Sequence, residues 1–278
     1  MRDLYDSMSY RLSKQLTKDY STSFSLAISL LPKWQRDAIY AIYGFVRIAD
    51  EIVDTFHEQD KQQLLNEFEA DTYESIERKI SLNPIINCFQ QTVNKYNIGH
   101  DLIDGFLRSM RMDLGVQEHD SQSYKDYIYG SAEVVGLMCL KVFLVGDEKE
   151  YQRLKPQARR LGAAFQKVNF LRDIKYDSES LERTYFPDFN FEDMSKESFT
   201  PIYEDIEADF KEAHKGICAL PKSSRLAVYL AYKYYKKLFL KIKRMNYQAA
   251  YDQRIRIPGG QKMFIMAKAV VRHQLNIL

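Results

Sequence analysis

Apolar residues recur every three or four positions along most of this chain of 278 residues, which is the spacing typical of amphipathic α-helices. No stretch of any length alternates apolar and polar residues as a half-buried β-strand would. Breaks in the spacing and helix-capping residues place the helices at residues 8–20, 32–56, shorter segments between 64 and 113, 123–145, 156–177, 202–218, 221–250 and 260–276. The pattern predicts a single all-α domain over residues 1–278.

Residues with special backbone chemistry set several of these boundaries. The hydroxyl-rich stretch 20–24 suits a loop or a helix cap better than a helix interior. Ser123 is predicted to cap a long apolar helix and Gly146 to stop it. Pro156 is predicted to interrupt or restart the next helix, because proline lacks the amide that a helix interior uses. Residues 178–201 lose the helical spacing, so we expect an ordered covering loop there.

Two of the predicted helices carry a polar stripe on a surface that is otherwise apolar. On a wheel of about 100° per residue, the first stripe spans about 60° and consists of Tyr43, Arg47, Asp50 and Asp54. The second spans about 80° and consists of Gln166, Asn169, Asp173 and Asp177. Glu51 points about 100° away from Asp50 and is not assigned to the first stripe. Buried charges cost free energy unless they are paired, so the stripes indicate a shared ligand; the alternative is two solvated helix faces.

The spacing of the aspartates indicates a bound cation. Carboxylates four residues apart on a helix repel each other, and more strongly when they are buried. Mg²⁺, or Mn²⁺ in its place, takes oxygen ligands and commonly bridges a few carboxylates to a phosphate. Zinc is disfavoured, because none of the five His residues joins a cluster with ligand spacing. Arg47 adds a permanent cation suited to phosphate oxygens, so the stripes predict a ligand with a diphosphate head.

Composition adds an apolar counterpart to this polar site. The chain has 20 Tyr and 16 Phe against 11 Gly and 7 Pro, which favours helices and leaves some rings to line an apolar cavity. Gly130 and Gly136 interrupt an apolar helix at a cost of about 1 kcal/mol each relative to alanine. We therefore expect a neighbouring helix or an apolar ligand to lie close to them, and the ligand is predicted to carry an apolar tail.

The cysteines and the N-terminus predict a cytoplasmic protein. Cys88, Cys139 and Cys218 are far apart in apolar surroundings, as expected of buried free thiols. The N-terminus lacks the apolar segment of a secretory signal, and no window approaches about 18 consecutive apolar residues. We expect neither secretion nor a membrane span.

The charge distribution is asymmetric although the net charge is only +2. Residues 222–278 hold 13 Lys and Arg against one acid, Asp252. Such a block predicts peripheral contact with the anionic inner face of a membrane, or with phosphorylated ligands; the alternative is a solvated helix face. No nucleic-acid partner is expected, and the sequence indicates no oligomeric state.

Several motifs resemble, in order and spacing, those of the squalene/phytoene synthase family, and most of all its bacterial phytoene synthases. They are Tyr20-Ser-Thr-Ser-Phe24, Arg47-x-x-Asp50-x-x-x-Asp54, Tyr129-Gly-Ser-Ala-Glu-Val-Val-Gly136, Gln166-x-x-Asn169-x-x-Arg172-Asp173-x-x-x-Asp177 and Arg183-x-Tyr185-Phe-Pro187. A weaker similarity continues to Tyr247 and Arg254.

The resemblance implies a single-domain isoprenoid synthase fold, a helical bundle around a central apolar cavity. It implies Mg²⁺-dependent head-to-head condensation of two geranylgeranyl diphosphates to phytoene through a cyclopropyl (prephytoene) diphosphate, in carotenoid biosynthesis, without NADPH. The implied metal ligands are Asp50, Asp54, Asn169, Asp173 and Asp177, and Tyr43 and Arg47 complete the implied catalytic set. The implied substrate-binding residues are Ser21, Phe24, Arg47, Tyr129, Gln166, Asn169, Arg172, Tyr247 and Arg254.

Two alternatives remain open within this resemblance. A dehydrosqualene or squalene synthase would act on two farnesyl diphosphates, and the length of the tail depends on a pocket depth that a sequence does not give. A non-catalytic helical scaffold of the same family is the alternative from another class, and the retention of all four aspartates speaks against it. Chain-elongating prenyltransferases and terpene cyclases favour an Asp-Asp-x-x-Asp signature, whereas Asp50 is followed by Glu51.

Overall fold

The structure is a computed structural model, and it describes residues 2–115, 119–181, 183, 185–187, 196–245 and 255–277. None of these residues lies in a β-strand, so the all-α prediction is confirmed. The helices are α1 Arg2–Tyr20, α2 Thr22–Ser29, α3 Lys33–Asp54, α4 Lys61–Arg78, α5 Pro84–Tyr96, α6 His100–Met112, α7 Ser121–Ile128, α8 Val134–Leu144, α9 Glu148–Ser180, α10 Lys196–Ala219, α11 Lys222–Arg244 and α12 Gly259–Gln274. A π-helical turn, Tyr129–Glu133, joins α7 to α8.

The start of α1 and the role of the stretch 20–24 differ from the prediction. The helix begins six residues earlier than the apolar spacing indicated, because its inner face is built from the hydroxyl residues Ser9, Ser13 and Thr17, all buried. Ser21 is a cap, as expected, and its Oγ accepts a hydrogen bond from the Phe24 amide at 3.2 Å. The residues that follow it begin α2 rather than a loop.

Three boundary predictions are wrong. Pro156 does not interrupt a helix but lies inside α9; it is exposed, so water can satisfy the carbonyl that loses its partner. The cap of α7 is Asp120 instead of Ser123, because its carboxylate accepts hydrogen bonds from the amides of residues 122 and 123. The predicted bounds of the loop 178–201 are wrong, since α9 continues to Ser180 and α10 begins at Lys196. The end of α8 agrees with the prediction, with Gly146 at φ 83°.

Two hydrophobic cores meet along a seam. The first contains the inner faces of α3, α5, α6 and α8, and at its centre the rings of Phe45 and Phe89 stack with centroids 3.9 Å apart. The second contains α10, α11 and the C-terminal half of α9. The helix α2 packs on both, through Ile28 on the first core and Ala27 on the second. The first polar stripe thus belongs to one core and the second stripe to the other.

Glycines allow close helix packing on both sides of the π turn, as predicted for Gly130 and Gly136. A Cβ on Gly130 would lie 2.4 Å from the Gly105 carbonyl oxygen of α6, and a Cβ on Gly136 would lie 3.1 Å from the Ala158 carbonyl oxygen of α9. A Cβ on Gly162 of α9 would lie 2.5 Å from the Ala132 carbonyl oxygen. The π turn is therefore held between α6 and α9 by direct backbone contact.

One described helical stretch, Ser121–Leu144, is long and apolar enough to cross a membrane by length and composition alone. The expectation from consecutive apolar residues missed it, because a few polar residues interrupt the run. More than half of its most apolar window is buried inside the protein, against α3, α6 and α9. Its apolar side chains therefore have partners in the fold.

Candidate active site

An apolar cavity of about 280 Å³ opens at the seam between the two cores. Side chains of α2, α3, α8, α9, α10 and α11 line it. Most of the lining is aliphatic or aromatic, and Tyr43, Gln166 and Asn169 from the two polar stripes also belong to it. The stripes and the cavity are therefore parts of one continuous site.

The first stripe is organised by Arg47. Its guanidinium donates to Asp50 at 2.5 Å and also pairs with Glu51, and it lies 4.2 Å from the ring centroid of Tyr20. Glu51 lies about 100° from Asp50 on the wheel, and the long Arg47 side chain nevertheless pairs with both carboxylates. Arg47 is thus held in place by two acids and a ring face.

The second stripe is organised by local pairs as well. The Nε of Arg172 donates to both carboxylate oxygens of Asp173, at 3.0 and 3.1 Å. One turn earlier, the Asn169 amide lies 3.5 Å from the Gln166 side-chain oxygen and accepts a hydrogen bond from the Tyr235 hydroxyl at 3.3 Å. The amides of this stripe therefore stand between the carboxylates and the cavity.

The carboxylates of the two stripes act on each other across the seam. Burial raises the pKa of Asp50 to about 7, with a further contribution from Asp54. Burial also raises the pKa of Asp177 to about 8, and the negative charges of Asp173 and then Asp54 raise it further. Asp54 and Asp177 come from different helices, so the fold brings the two stripes together.

Arg183 links the two stripes, a role that the motif Arg183-x-Tyr185-Phe-Pro187 did not by itself indicate. Its guanidinium donates to Asp54 at 2.8 Å and to the Asp113 carbonyl oxygen at 2.9 Å. Its backbone amide donates to the carbonyl oxygen of Asp177 at 2.9 Å. A residue from the segment after α9 thereby contacts the first stripe, the second stripe and the end of α6.

Asp113 is a fifth aspartate at the site. It continues the helical spacing of α6 at that helix's C-terminal end, but a lone acid without a second carboxylate four residues away carries no signal of a site. Its side chain is only 3% exposed and lies 3.4 Å from the Arg183 guanidinium. It also accepts a hydrogen bond from the Tyr127 hydroxyl at 2.9 Å. Burial raises the pKa of Asp113 to about 8, although Arg183 opposes the rise. The Asp113 side chain thus helps to fix the position of the Arg183 guanidinium.

A stack of rings holds the segment that carries Arg183. Tyr185 lies nearly parallel to Phe170, with centroids 4.0 Å apart, and packs on Tyr127 at 5.1 Å and on His119 at 5.6 Å. Such ring pairs contribute about 0.5–1.5 kcal/mol beyond their buried area. The motif Arg183-x-Tyr185 therefore combines a charge for the site with an anchor for that charge.

Four rings surround the cavity where the polar stripes end, and we call them the aromatic collar: Phe24, Tyr43, Phe165 and Tyr235. Phe165 and Tyr235 stack with centroids 4.0 Å apart, and Phe24 lies 5.5 Å from Tyr235 and 6.1 Å from Tyr43. Burial raises the pKa of the Tyr43 phenol, so this hydroxyl stays neutral. The sequence indicated only the first two members, since core rings carry no distinguishing pattern.

The remaining predicted residues lie around this centre or outside the described chain. Tyr129 begins the π turn, where its ring faces the Arg159 guanidinium at 5.2 Å, and its role in substrate binding stays a prediction. Arg172 is engaged by Asp173. Tyr247 and Arg254 lie outside the described residues.

The acids at the site fit a hard divalent cation. Within the described ranges, no three His, Cys, Asp or Glu side chains form a ready-made metal cage, and arginines stand between several of the carboxylates. Mg²⁺ requires no such cage, because it keeps several waters and takes one or two carboxylates together with substrate phosphates. Burial first, and then the neighbouring carboxylates, raise the pKa values of Asp50 and Asp177, and a bound cation would offset both causes by stabilising the charged forms.

The fold shows the structural class of the protein. A crystal structure of a dehydrosqualene synthase in complex with a ligand matches this fold with a TM-score of 0.84, over 97% of this chain and 98% of that chain, at 20% identity. The protein therefore has the fold of the isoprenoid synthases.

The family follows from the sequence. The squalene/phytoene synthase family model matches residues 17–261, and the chain belongs to this family of head-to-head prenyltransferases. It is 26% identical to a phytoene synthase of Arthrospira platensis, over 95% of this chain and 93% of that protein. It is 24% identical to a 4,4'-diapophytoene synthase of Staphylococcus haemolyticus, over 86% of this chain and 88% of that protein.

Proposed function

We propose that this protein condenses two geranylgeranyl diphosphates head to head into phytoene, through a cyclopropyl (prephytoene) diphosphate and without a reductant. The observation that carries the proposal is the convergence of two carboxylate stripes at the mouth of one apolar cavity. A diphosphate head would lie at the stripes and its prenyl tail in the cavity. The similarity to the phytoene synthase of Arthrospira platensis supports the choice of substrate.

The acids and amides of the stripes would hold the metal and the diphosphates. Asp50, Asp54, Asn169, Asp173 and Asp177 would bind Mg²⁺, or Mn²⁺ in its place. The metal would supply positive charge for the departing diphosphate. Arg47 is already oriented by Asp50 and Glu51, and it would add a fixed cation aimed at the same oxygens.

The aromatic collar would protect and stabilise the cationic part of the reaction. Ring faces attract a cation within about 6 Å of the centroid, and the four rings surround the entrance to the tail cavity. A water molecule that reached an allylic cation would convert it to an alcohol, so the apolar lining also excludes the competing reaction. The Tyr43 hydroxyl, neutral because burial raises its pKa, can hydrogen-bond a diphosphate oxygen without adding charge.

A second candidate is condensation of two farnesyl diphosphates to dehydrosqualene. The similarities to a 4,4'-diapophytoene synthase and to the fold of a dehydrosqualene synthase favour it. The two candidates use the same head-group site and differ only in the length of chain that the cavity accepts.

Product identification separates these candidates. The purified protein is incubated with Mg²⁺ and either geranylgeranyl or farnesyl diphosphate, with and without NADPH, and the hydrocarbons are identified by mass spectrometry. We expect a C40 hydrocarbon from geranylgeranyl diphosphate that NADPH does not change. A C30 product alone would overturn the phytoene proposal, and no turnover of either substrate would overturn the proposed activity altogether.

A further inference from the structure

The outer face of α12 is apolar and exposed. Phe264 is 72% exposed, Leu275 63% and Val271 53%, and these three positions fall within about 40° of one another on a helical wheel. The opposite face is apolar too, and there Ala269, Ile265 and Met266 pack on the second core. One apolar face of α12 therefore packs in the fold. The outer apolar face is a candidate interaction site, because contiguous exposed apolar surface marks such sites.

The charged side chains of α12 and of the segment before it are Lys and Arg. Residues 255–277 contain Arg256, Lys262, Lys268 and Arg272 and no Asp or Glu. Lys268 is exposed and lies about 40° from Phe264 on the wheel, at the edge of the apolar face. An apolar helix face bordered by Lys and Arg is the pattern of helices that lie in the interface of an anionic bilayer.

The helix that carries this face packs against two elements of the cavity wall. The Lys262 ammonium donates to the Thr22 hydroxyl at the start of α2, and its carbonyl oxygen accepts a hydrogen bond from Tyr234 of α11 at 3.0 Å. Two residues after Thr22, Phe24 contributes to the aromatic collar. The outer face of α12 is thus carried by a helix that contacts both α2 and α11, which line the cavity.

We propose that the outer face of α12 is a membrane-docking surface, on which Phe264, Val271 and Leu275 enter the interface of an anionic bilayer while Lys268 contacts the head groups. A second copy of the chain is a poorer occupant, because a two-fold contact would place the same acid-free, basic helix against itself. The proposal concerns binding alone and does not depend on which hydrocarbon the protein makes. It assigns the membrane contact predicted for the basic C-terminal region to one helix face.

Vesicle flotation without substrate tests the proposal. The full chain is mixed with phosphatidylcholine vesicles that contain about a third phosphatidylglycerol, or with pure phosphatidylcholine vesicles, at low and high salt. We expect binding to the anionic vesicles that salt weakens, and little binding to the neutral ones. Absence of binding to anionic vesicles, or equal binding to both kinds at any salt concentration, would overturn the proposal.

Variants assign the binding to α12. We expect the double substitution Phe264→Ser with Leu275→Ser, and separately Lys268→Glu, to lower the bound fraction by about tenfold or more. Leu82→Ser is the matched control, because Leu82 is 89% exposed outside α12 and its replacement should leave binding unchanged. Circular dichroism should be the same for all variants, since each replaced side chain is exposed.

Two results would contradict the assignment to a bilayer. One is wild-type binding by the α12 variants. The other is a concentration-dependent dimer in sedimentation velocity that the Phe264→Ser, Leu275→Ser variant loses, which would make this face an interface between copies. Turnover of detergent-dispersed substrate by the same variants should stay at the wild-type level, so failure of docking and failure of the proposed activity are distinguishable.

Discussion

The carboxylate pairs on α3 and α9 have the same spacing but are neutralised in different ways. On α3, Arg47 from the same helix pairs with Asp50, whereas Asp54 takes its partner, Arg183, from the segment after α9. On α9, the arginine that pairs with Asp173 is its immediate neighbour. Each stripe therefore has a local arginine, and Arg183 from the segment after α9 contacts both stripes. Arg183 is the element that makes two stripes into one site.

The largest expected effect comes from removing one carboxylate of either stripe. Asp50→Ala and Asp173→Ala should each lower kcat/KM for the condensation by at least about 10³-fold, because the departing diphosphate loses the charge that stabilises it. Asp126→Ala on the exposed surface of α7 is the matched control and should keep full activity. Circular dichroism checks that the fold persists. Full activity in either site variant would mean that its stripe is not part of the reaction centre.

A smaller loss is expected when the link between the stripes is weakened. Asp113→Asn keeps an oxygen that can accept the Tyr127 hydroxyl but replaces the other carboxyl oxygen, which can accept from the Arg183 guanidinium, by an amide NH₂ that cannot. Supporting residues of this kind typically contribute about 10–100-fold in metal affinity or activity. We expect a loss in that range together with a higher Mg²⁺ concentration for half-maximal activity, since Arg183 would no longer be held beside Asp54. An unchanged Mg²⁺ requirement would show that Asp113 acts only on stability.

Two glycines, one on each helix that carries a stripe, allow the packing of these helices to be compared by stability. A Cβ on Gly162 of α9 would meet a backbone carbonyl at 2.5 Å, whereas one on Gly44 of α3 would meet the Ser13 side chain at 2.7 Å. Backbone cannot move aside as a hydroxyl can, so Gly162→Ala should destabilise by about 1–3 kcal/mol. Gly44→Ala should cost less, because its contact can relax and alanine favours a helix by about 1 kcal/mol. Urea denaturation measures both, and equal costs would contradict this packing argument.

The last effect is on the pH dependence of stability without metal. Burial raises the pKa of Asp50 to about 7 and those of Asp113 and Asp177 to about 8, whereas an Asp in the unfolded chain titrates near 3.9. The folded protein keeps these protons to higher pH, so their contribution to stability is complete below about pH 4 and is lost as the pH rises to about 8.

This linkage predicts a lower Tm at about pH 8.5 than at about pH 6 in metal-free buffer. Scanning calorimetry measures the difference, and it should shrink in Asp113→Asn, which removes one of the three titrating groups. A Tm that does not change across this window would show that these three carboxyl groups do not keep their protons to higher pH in the folded protein.

The two stripes were predictable because helical spacing alone places residues 43–54 and 166–177 on narrow faces. The partners of these stripes were not. Asp113 is a lone acid at the end of α6, so its spacing does not distinguish it from a solvated residue. Arg183 follows the end of α9, where no period applies. Phe165 and Tyr235 of the aromatic collar are, in sequence, ordinary core rings. The prediction that Pro156 interrupts or restarts a helix was wrong because the cost of a helical proline depends on whether water can reach the freed carbonyl.

The most direct test of the account is whether both stripes are needed to bind one diphosphate. A thiolo analogue of geranylgeranyl diphosphate, which does not ionise, is titrated calorimetrically into wild type, Asp50→Ala and Asp173→Ala, with and without Mg²⁺. We predict that only the wild type with Mg²⁺ binds tightly, and that removing the metal or either carboxylate weakens binding by about 100-fold or more. Wild-type affinity in either variant, or binding that does not depend on Mg²⁺, would contradict a single site built from α3 and α9.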